Sequence, residues 1–105
     1  MNNQQIAFDL AKEWRTQAVW TKANKIPGIN PNVWRQDVCG HLINRYEYGN
    51  RHSDYGWEID HITPRSKGGS DAIWNLRPLQ ARANASRQAG YLNCSNINQV
   101  EYMNY

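Results

Sequence analysis

The chain has 105 residues and a mass of 12.2 kDa, which suit a single domain with a modest core. This length excludes a two-domain dinucleotide-dependent enzyme and a large eight-stranded barrel. Hydrophobic residues make up 40% and the mean hydropathy is −0.86, so no segment approaches the ~20 apolar residues of a membrane span. Because no apolar export segment follows Met1–Gln5 either, we expect a soluble, cytoplasmic protein without a membrane partner.

The net charge of +3 is unevenly distributed along the chain. Residues 1–60 are neutral overall, whereas residues 61–90 carry five basic side chains against one acidic side chain. A basic segment in an otherwise neutral chain favours a polyanionic partner, with phosphate the first candidate. A solvated basic face without a partner is the alternative interpretation.

The two cysteines, Cys39 and Cys94, are far apart and belong to no C-x-x-C pair. A structural zinc site needs about four Cys or His ligands at short spacings, and the sequence lacks that framework. One disulfide between them is an alternative, but we expect two reduced thiols, as in a cytosolic protein.

The first segment has the spacing of an amphipathic helix. Ile6, Leu10, Trp14 and Ala18 recur in steps of four, which predicts a helix from Gln4 to about Ala23 with this face buried.

After an irregular connection rich in Pro, Gly and Asn, the chain returns to apolar residues. Leu42 to Tyr48 suits a short extended segment, with turns at Gly40 and Gly49.

The second half alternates two short strands with a loop and a helix. Residues 57–62 alternate apolar and polar side chains, which predicts a half-buried strand, and Pro64 ends it. The loop contains paired glycines, and residues 76–79 allow a return strand. Residues 80–89 favour a helix closed by Gly90, whereas residues 91–105 show no clear pattern. The expected large core residues are Trp14, Trp34, Trp57 and Trp74.

Asp60 and His61 are the first candidates for chemistry. A carboxylate is a hard oxygen ligand for a divalent ion, and a neutral imidazole accepts a proton from water. Neighbours on a strand point to opposite sides, so one side chain suits the ion and the other suits the nucleophile. Taken alone, however, the dipeptide is better explained by a histidine with a structural role.

The surrounding segment changes this interpretation, because four features occur together between Trp57 and Arg87. They are the Asp60-His61 dipeptide, the sequence P-x-S-K-G-G-S-D over residues 64–71, the pair Asn75-Leu76, and a helical Asn84. This combination strongly resembles the HNH endonuclease family. The resemblance implies an α+β fold with a ββα-metal (HNH/His-Me finger) core behind an N-terminal amphipathic helix. We expect one domain over residues 1–105, with the helix and its connection in 1–34, the core in 35–90 and an extension in 91–105.

The same resemblance implies a role for each motif residue. Asp60 and Asn84 would bind one divalent ion, Mg²⁺ or Mn²⁺, and His61 would be the general base that activates water. Asn75 would hold the loop by hydrogen bonds from its side chain to the backbone. Because many members carry His where this chain has Asn84, the sequence is an H-N-N variant. Outside this context, Asn75 would be interpreted as a turn residue and Asn84 as a polar surface residue.

Several charged residues near the motif are candidates for secondary roles. Arg87 lies one helical turn after Asn84, and Arg65 and Lys67 lie in the loop, so all three are expected to bind substrate phosphates. An ordinary solvated charge is the alternative for each. Glu58 lies on the same strand face as Asp60 and could reach the ion through water. We interpret the remaining histidines, His41 and His52, as structural or surface residues.

One departure from the family pattern concerns zinc. Many HNH proteins carry C-x-x-C pairs that bind structural zinc, and this chain has no cysteine at the start of the predicted helix. We therefore predict no structural zinc. A turn at Gly40 and a salt bridge between Arg35 and Asp37 would replace it.

These observations favour a metal-dependent endonuclease that hydrolyses DNA phosphodiester bonds, with RNA not excluded as a substrate. Two alternatives stay open: a non-catalytic nucleic-acid-binding module on the same scaffold, and a toxin or effector nuclease domain.

Overall fold

A long helix, two antiparallel strand pairs and a short helix follow one another along the chain. The computed structural model describes residues 2–87, Leu92 and Cys94. The elements are α1 (Asn3–Trp20), β1 (Trp34–Gln36), β2 (Leu42–Asn44), β3 (Trp57–His61), β4 (Leu76–Gln80) and α2 (Ala81–Ser86). Strand β1 pairs with β2, and β3 pairs with β4. This arrangement confirms the predicted α+β class, and no helix among the described residues is apolar and long enough to cross a membrane.

Helix α1 begins where its periodicity predicted it but ends at Trp20 and not near Ala23, and only its last turns are buried. Thr16, Val19 and Trp20 are its buried residues. The predicted burial of the apolar positions nearer the N-terminus is wrong, because Leu10 and Trp14 are 66% and 67% exposed. An 18-residue helix is about 27 Å long, whereas the five-residue strand β4 beside it spans about 17 Å, so the N-terminal half extends beyond the rest of the domain.

The core lies between the end of α1 and the strands. It consists of six buried residues: Val19, Trp20, Ala23, Ile43, Trp57 and Leu76. The rings of Trp20 and Trp57 meet with centroids 5.3 Å apart. Burial of Trp57 confirms one of the four expected core tryptophans, and Trp34 is half-buried against Tyr55. The expectation is wrong for Trp14 and for Trp74, which is 72% exposed.

A buried carboxylate connects the first strand pair to the second. Asp37 is 1% exposed and accepts hydrogen bonds from the backbone N–H groups of Cys39, His41 and Gln80 at 2.8–2.9 Å. Its Oδ2 also lies 2.6 Å from Nδ1 of His41. His41 therefore has the structural role that we expected for it.

Two details of this region differ from the sequence prediction. The partner of Asp37 is His41, whereas Arg35 donates to the backbone carbonyls of Pro31, Thr21 and Ala23. The extended segment ends at Asn44 and not at Tyr48, because the Asn44 side chain accepts from the N–H of Tyr46 and begins a 3-10 turn.

The predicted pair of reduced thiols is wrong, because Cys39 and Cys94 form a disulfide with their Cα atoms 5.3 Å apart. The turn between β1 and β2 has Gly40 at a φ of +85° and presents Cys39 at its tip. The two cysteines are 55 residues apart along the chain, so the sequence does not predict that they lie close together.

The loop between β3 and β4 holds a conformation that requires glycine at two consecutive positions. Gly68 has a φ of +84°, and a Cβ on Gly69 would lie 1.7 Å from the carbonyl oxygen of Thr63. The paired glycines therefore allow the chain to fold back tightly onto the end of β3.

Helix α2 is shorter than predicted. It ends at Ser86, and Arg87 is already extended, with a φ of −66° and a ψ of +116°. The predicted end at Ala89 is therefore wrong, while the predicted closure at Gly90 lies outside the described residues. Of the expected extension over 91–105, the structure describes Leu92 and Cys94.

Candidate active site

Strand β3 directs alternate side chains to opposite faces, and this alternation divides the candidate site in two. Trp57 and Ile59 belong to the core side. Glu58 and Asp60 point the other way and bond to residues of α2 and its C-cap. His61 ends the strand on the side of Ile59, and the two line one cavity. The predicted division of Asp60 and His61 between two sides of the strand is thus confirmed.

His61 is held from one ring nitrogen. Its side chain is 20% exposed, and Nε2 lies 2.7 Å from Oδ1 of Asp71. Nε of Arg65 lies 3.2 Å from the same nitrogen, and the shorter contact with the carboxylate assigns the proton to Nε2. A neutral imidazole that donates from Nε2 leaves Nδ1 unprotonated. Within the described part of the chain, no hydrogen bond reaches Nδ1. The arrangement therefore presents a proton acceptor at a partly exposed position.

Asp71 stays ionised beside this ring. Its hydrogen bond to His61, followed by that from Arg65, holds the pKa of the carboxyl below its usual range. Arg65 donates from Nε to the same Oδ1 at 2.8 Å. A carboxylate at this place fixes the orientation of the imidazole and stabilises the imidazolium that forms when Nδ1 takes a proton.

Asn75 connects the two ends of the loop that carries Asp71. It is 1% exposed, and its Oδ1 accepts from the N–H of Thr63 at 2.9 Å. Its Nδ2 donates to the carbonyls of Thr63 and Ser70, at 3.1 and 2.7 Å. These are side-chain-to-backbone bonds of the kind that its expected role requires, and they position the loop against the end of β3.

The Asp60 carboxylate is buried and bound by two arginines. It is 4% exposed; Arg77, its cross-strand partner, donates from Nε to Oδ2 at 2.9 Å, and Arg87 donates to Oδ1. Arg87 also donates to the carbonyl of His61 at 2.9 Å. A guanidinium thus lies where a cation would meet Asp60, and it competes with any divalent ion for that oxygen.

Asn84 lies near the same face of β3, and its contact is with Glu58 and not with Asp60. Its Nδ2 donates to Oε1 of Glu58 at 2.8 Å. The bond from Arg51, and to a smaller extent the one from Asn84, lowers the pKa of Glu58, so this carboxylate is ionised. The three side chains Glu58, Asp60 and Asn84 offer only oxygen donors, which suit Mg²⁺ or Mn²⁺. The donor chemistry therefore fits a divalent ion.

The three residues predicted to bind phosphate lie in different surroundings. Arg65 and Lys67 are exposed in the loop, and Arg65 is paired with Asp71. Arg87 has a side chain only 8% exposed, because it is bound to Asp60. Phosphate binding by these residues stays a prediction, and for Arg87 it requires the guanidinium to leave the carboxylate.

A second group of potential ligands lies at the first turn. The ligand atoms of Asp37, Cys39 and His41 come within 4.8 Å of one another. The sulfur of Cys39 is bonded to Cys94, however, so it is not the thiolate that binds metal. This group differs from the predicted site at Asp60 and Asn84.

Sequence reasoning gave no role to Asp71 or Arg77, although both contact the predicted site residues. Asp71 ends the quoted loop motif, but only the folded loop places it beside His61. Arg77 lies beside Asp60 because the strand register pairs these two residues. The sequence does not determine this register, since the loop between the strands is long and irregular.

Comparison with known families supports the motif assignment. A family model described as HNH endonuclease matches residues 37–85, which include β2, β3, β4 and nearly all of α2. No curated protein and no solved structure shows a significant match to the chain.

Proposed function

We propose that this chain, which carries an HNH endonuclease segment at residues 37–85, is a metal-dependent endonuclease that hydrolyses DNA phosphodiester bonds. The observation that carries the proposal is the orientation of His61. Its Nε2 is bonded to an ionised Asp71, and its Nδ1 is left without a partner among the described residues. An oriented imidazole with one unprotonated nitrogen is the arrangement that a general base requires.

In this proposal, His61 takes the proton of the attacking water on Nδ1. Asp71 then stabilises the imidazolium through the bond to Nε2 and returns the ring to the same orientation after each turnover. Asn75 keeps Asp71 in place, because it holds both ends of the loop that carries this residue.

Asp60 and Asn84 would hold the divalent ion, with Glu58 beside them on the same face of β3. When bound, such an ion neutralises charge on the phosphate and stabilises the leaving oxygen. Arg77 and Arg87 compensate the buried charge of Asp60 until the ion binds. Because Arg87 lies next to this site, its guanidinium would pair with a phosphate if an ion replaced it at Asp60.

The test is a plasmid-nicking assay with supercoiled DNA in Mg²⁺, in Mn²⁺ and in EDTA. We expect cleavage only with a metal ion, and we expect His61→Ala to lower the rate by about 10²–10⁴-fold. His52→Ala is the matched control, because its exposed side chain lies outside the motif. Activity of His61→Ala equal to that of the wild type, or the absence of metal-dependent cleavage of DNA and RNA, would show that the catalytic assignment is wrong.

The pairing of Asp60 with two arginines favours one alternative, a nucleic-acid-binding module without catalysis. Such a module has no use for a metal ion, and the ion pairs would be its permanent state. In the same assay it would bind the plasmid without nicking it.

The Cys39–Cys94 disulfide favours another candidate, an effector nuclease that acts in an oxidising compartment. Disulfides persist outside the reducing cytosol. A cytoplasmic location stays a prediction. Thiol labelling of protein taken directly from its native host distinguishes a cytoplasmic protein with reduced cysteines from a protein of an oxidising compartment with the disulfide.

A further inference from the structure

A groove lies between α1 and the face of β3 that carries His61. Its volume is about 280 Å³. The walls are formed by Lys12, Arg15 and Thr16 on the helix and by Ile59 and His61 on the strand, with Tyr48 beside them. The candidate general base thus shares a groove with two cations that lie outside the matched residues 37–85.

Lys12 and Arg15 differ in their pairing with carboxylates from most of the other arginines that the structure describes. Arg45, Arg51 and Arg82 each form an ion pair with a carboxylate. No carboxylate within the described part of the chain pairs with the side chain of Lys12 or Arg15. Their charges are therefore available to a ligand.

The helix places both cations at the same stretch of the groove. Residues three apart on a helix are neighbours on its surface, with Cβ atoms about 5–6 Å apart. Lys12 is exposed and Arg15 is half-buried, while Thr16, directly after Arg15, is buried against the domain. The exposed half of α1 thus forms a wall that projects beyond the strands and carries positive charge toward His61.

We infer that this groove binds the phosphate backbone of a nucleic-acid strand, with Lys12 and Arg15 contacting phosphates next to the one attacked by the water that His61 deprotonates. The inference rests on the proposed function for the identity of the substrate. It adds a contact on the α1 side of β3 to those expected at Asp60 and its arginines on the α2 side. Helix α1 is then part of the binding surface as well as a support for the core.

The test is equilibrium binding of a fluorescein-labelled DNA duplex, and of its labelled single strand, in EDTA, measured by fluorescence anisotropy between 50 and 200 mM salt. Lys12→Gln, Arg15→Gln and the double variant remove charge and keep helix propensity. Lys25→Gln is the matched control, because Lys25 is exposed and lies outside the groove. Circular dichroism melting confirms that the variants are folded.

The double variant should reduce the slope of log affinity against log salt by about 1.8, which is about 0.9 for each phosphate that the protein no longer neutralises. Over a fourfold rise in salt, the wild type should therefore lose about 12-fold more affinity than the double variant. Lys25→Gln should leave the slope unchanged.

Equal effects of Lys25→Gln and Lys12→Gln would overturn the inference, since the effect would then reflect net charge alone. Unchanged slopes in the folded double variant, or a wild type that binds neither duplex nor single strand, would also overturn it. Because binding is measured in EDTA, the result is independent of cleavage. A protein that binds through the groove but never nicks plasmid would refute the proposed function and leave this inference standing.

Discussion

Replacing Asp37 by asparagine removes the charge from the buried carboxylate that connects the two strand pairs. Each carboxylate oxygen has two partners: Oδ1 accepts from the N–H groups of Cys39 and His41, and Oδ2 meets Nδ1 of His41 and the N–H of Gln80. An amide has one oxygen and one NH₂ group, so one pair of partners must face a donor. The least costly orientation places NH₂ toward His41 and Gln80, because the imidazole can change tautomer and accept.

The N–H of Gln80 has no such option and loses its acceptor. A buried donor without an acceptor costs about 1–3 kcal/mol, and each of the two bonds kept by Oδ1 loses about 1 kcal/mol of charge assistance. Asp37→Asn should therefore lower the free energy of unfolding by about 3–5 kcal/mol. This is a large part of the ~5–15 kcal/mol of a typical domain, and it corresponds to a fall in Tm of about 12 °C or more.

Urea unfolding followed by tryptophan fluorescence measures the change, since Trp20 and Trp57 lie in the core. Asp9→Asn is the matched control: Asp9 is exposed and accepts one side-chain bond from Gln5, so its loss should cost less than about 0.5 kcal/mol. If Asp37→Asn falls within the range of the control, the carboxylate is not the buried acceptor that stabilises this junction, and the reasoning is refuted.

Two other substitutions test separate parts of the structure. Cys94→Ser should lower the free energy of unfolding by about 2–4 kcal/mol, because the disulfide closes a loop of 55 residues. In urea unfolding, dithiothreitol should destabilise the wild type by the same amount and leave the variant unchanged. A variant that still responds to dithiothreitol would contradict the pairing with Cys39. Asn75→Ala should cost about 2–4 kcal/mol in the same assay, since the N–H of Thr63 and the carbonyl of Ser70 lose their partner. Asn32→Ala, at an exposed position, is its control, and equal stability of the two variants would contradict the role of Asn75 in the loop.

Local patterns along the chain were enough to predict most of the secondary structure. Alternation predicted β3, the steps of four predicted α1, and the paired glycines predicted the loop that Gly68 and Gly69 allow. These predictions succeed because the backbone repeats and the conformational freedom of glycine act within a few residues.

Such local patterns did not predict which part of α1 is buried. The row that contains Leu10 and Trp14 has the spacing of a buried face, and yet these residues are exposed. Periodicity identifies which residues share a face of a helix, but burial depends on how far the neighbouring elements extend.

The sequence alone determined the motif, from Asp60 and His61 to Asn75 and Asn84, and with it the similarity to HNH endonucleases and the class of chemistry that we propose. Motif residues are recognisable in sequence because the chemistry requires particular side chains at particular spacings.

Only the tertiary structure decided which groups meet across the chain. It brought Asp71 to His61, Arg77 and Arg87 to Asp60, and Lys12 of α1 into the groove beside the strand. It also joined Cys39 to Cys94. Such contacts depend on strand register and on the packing of distant segments, and neither is encoded in the residues next to them.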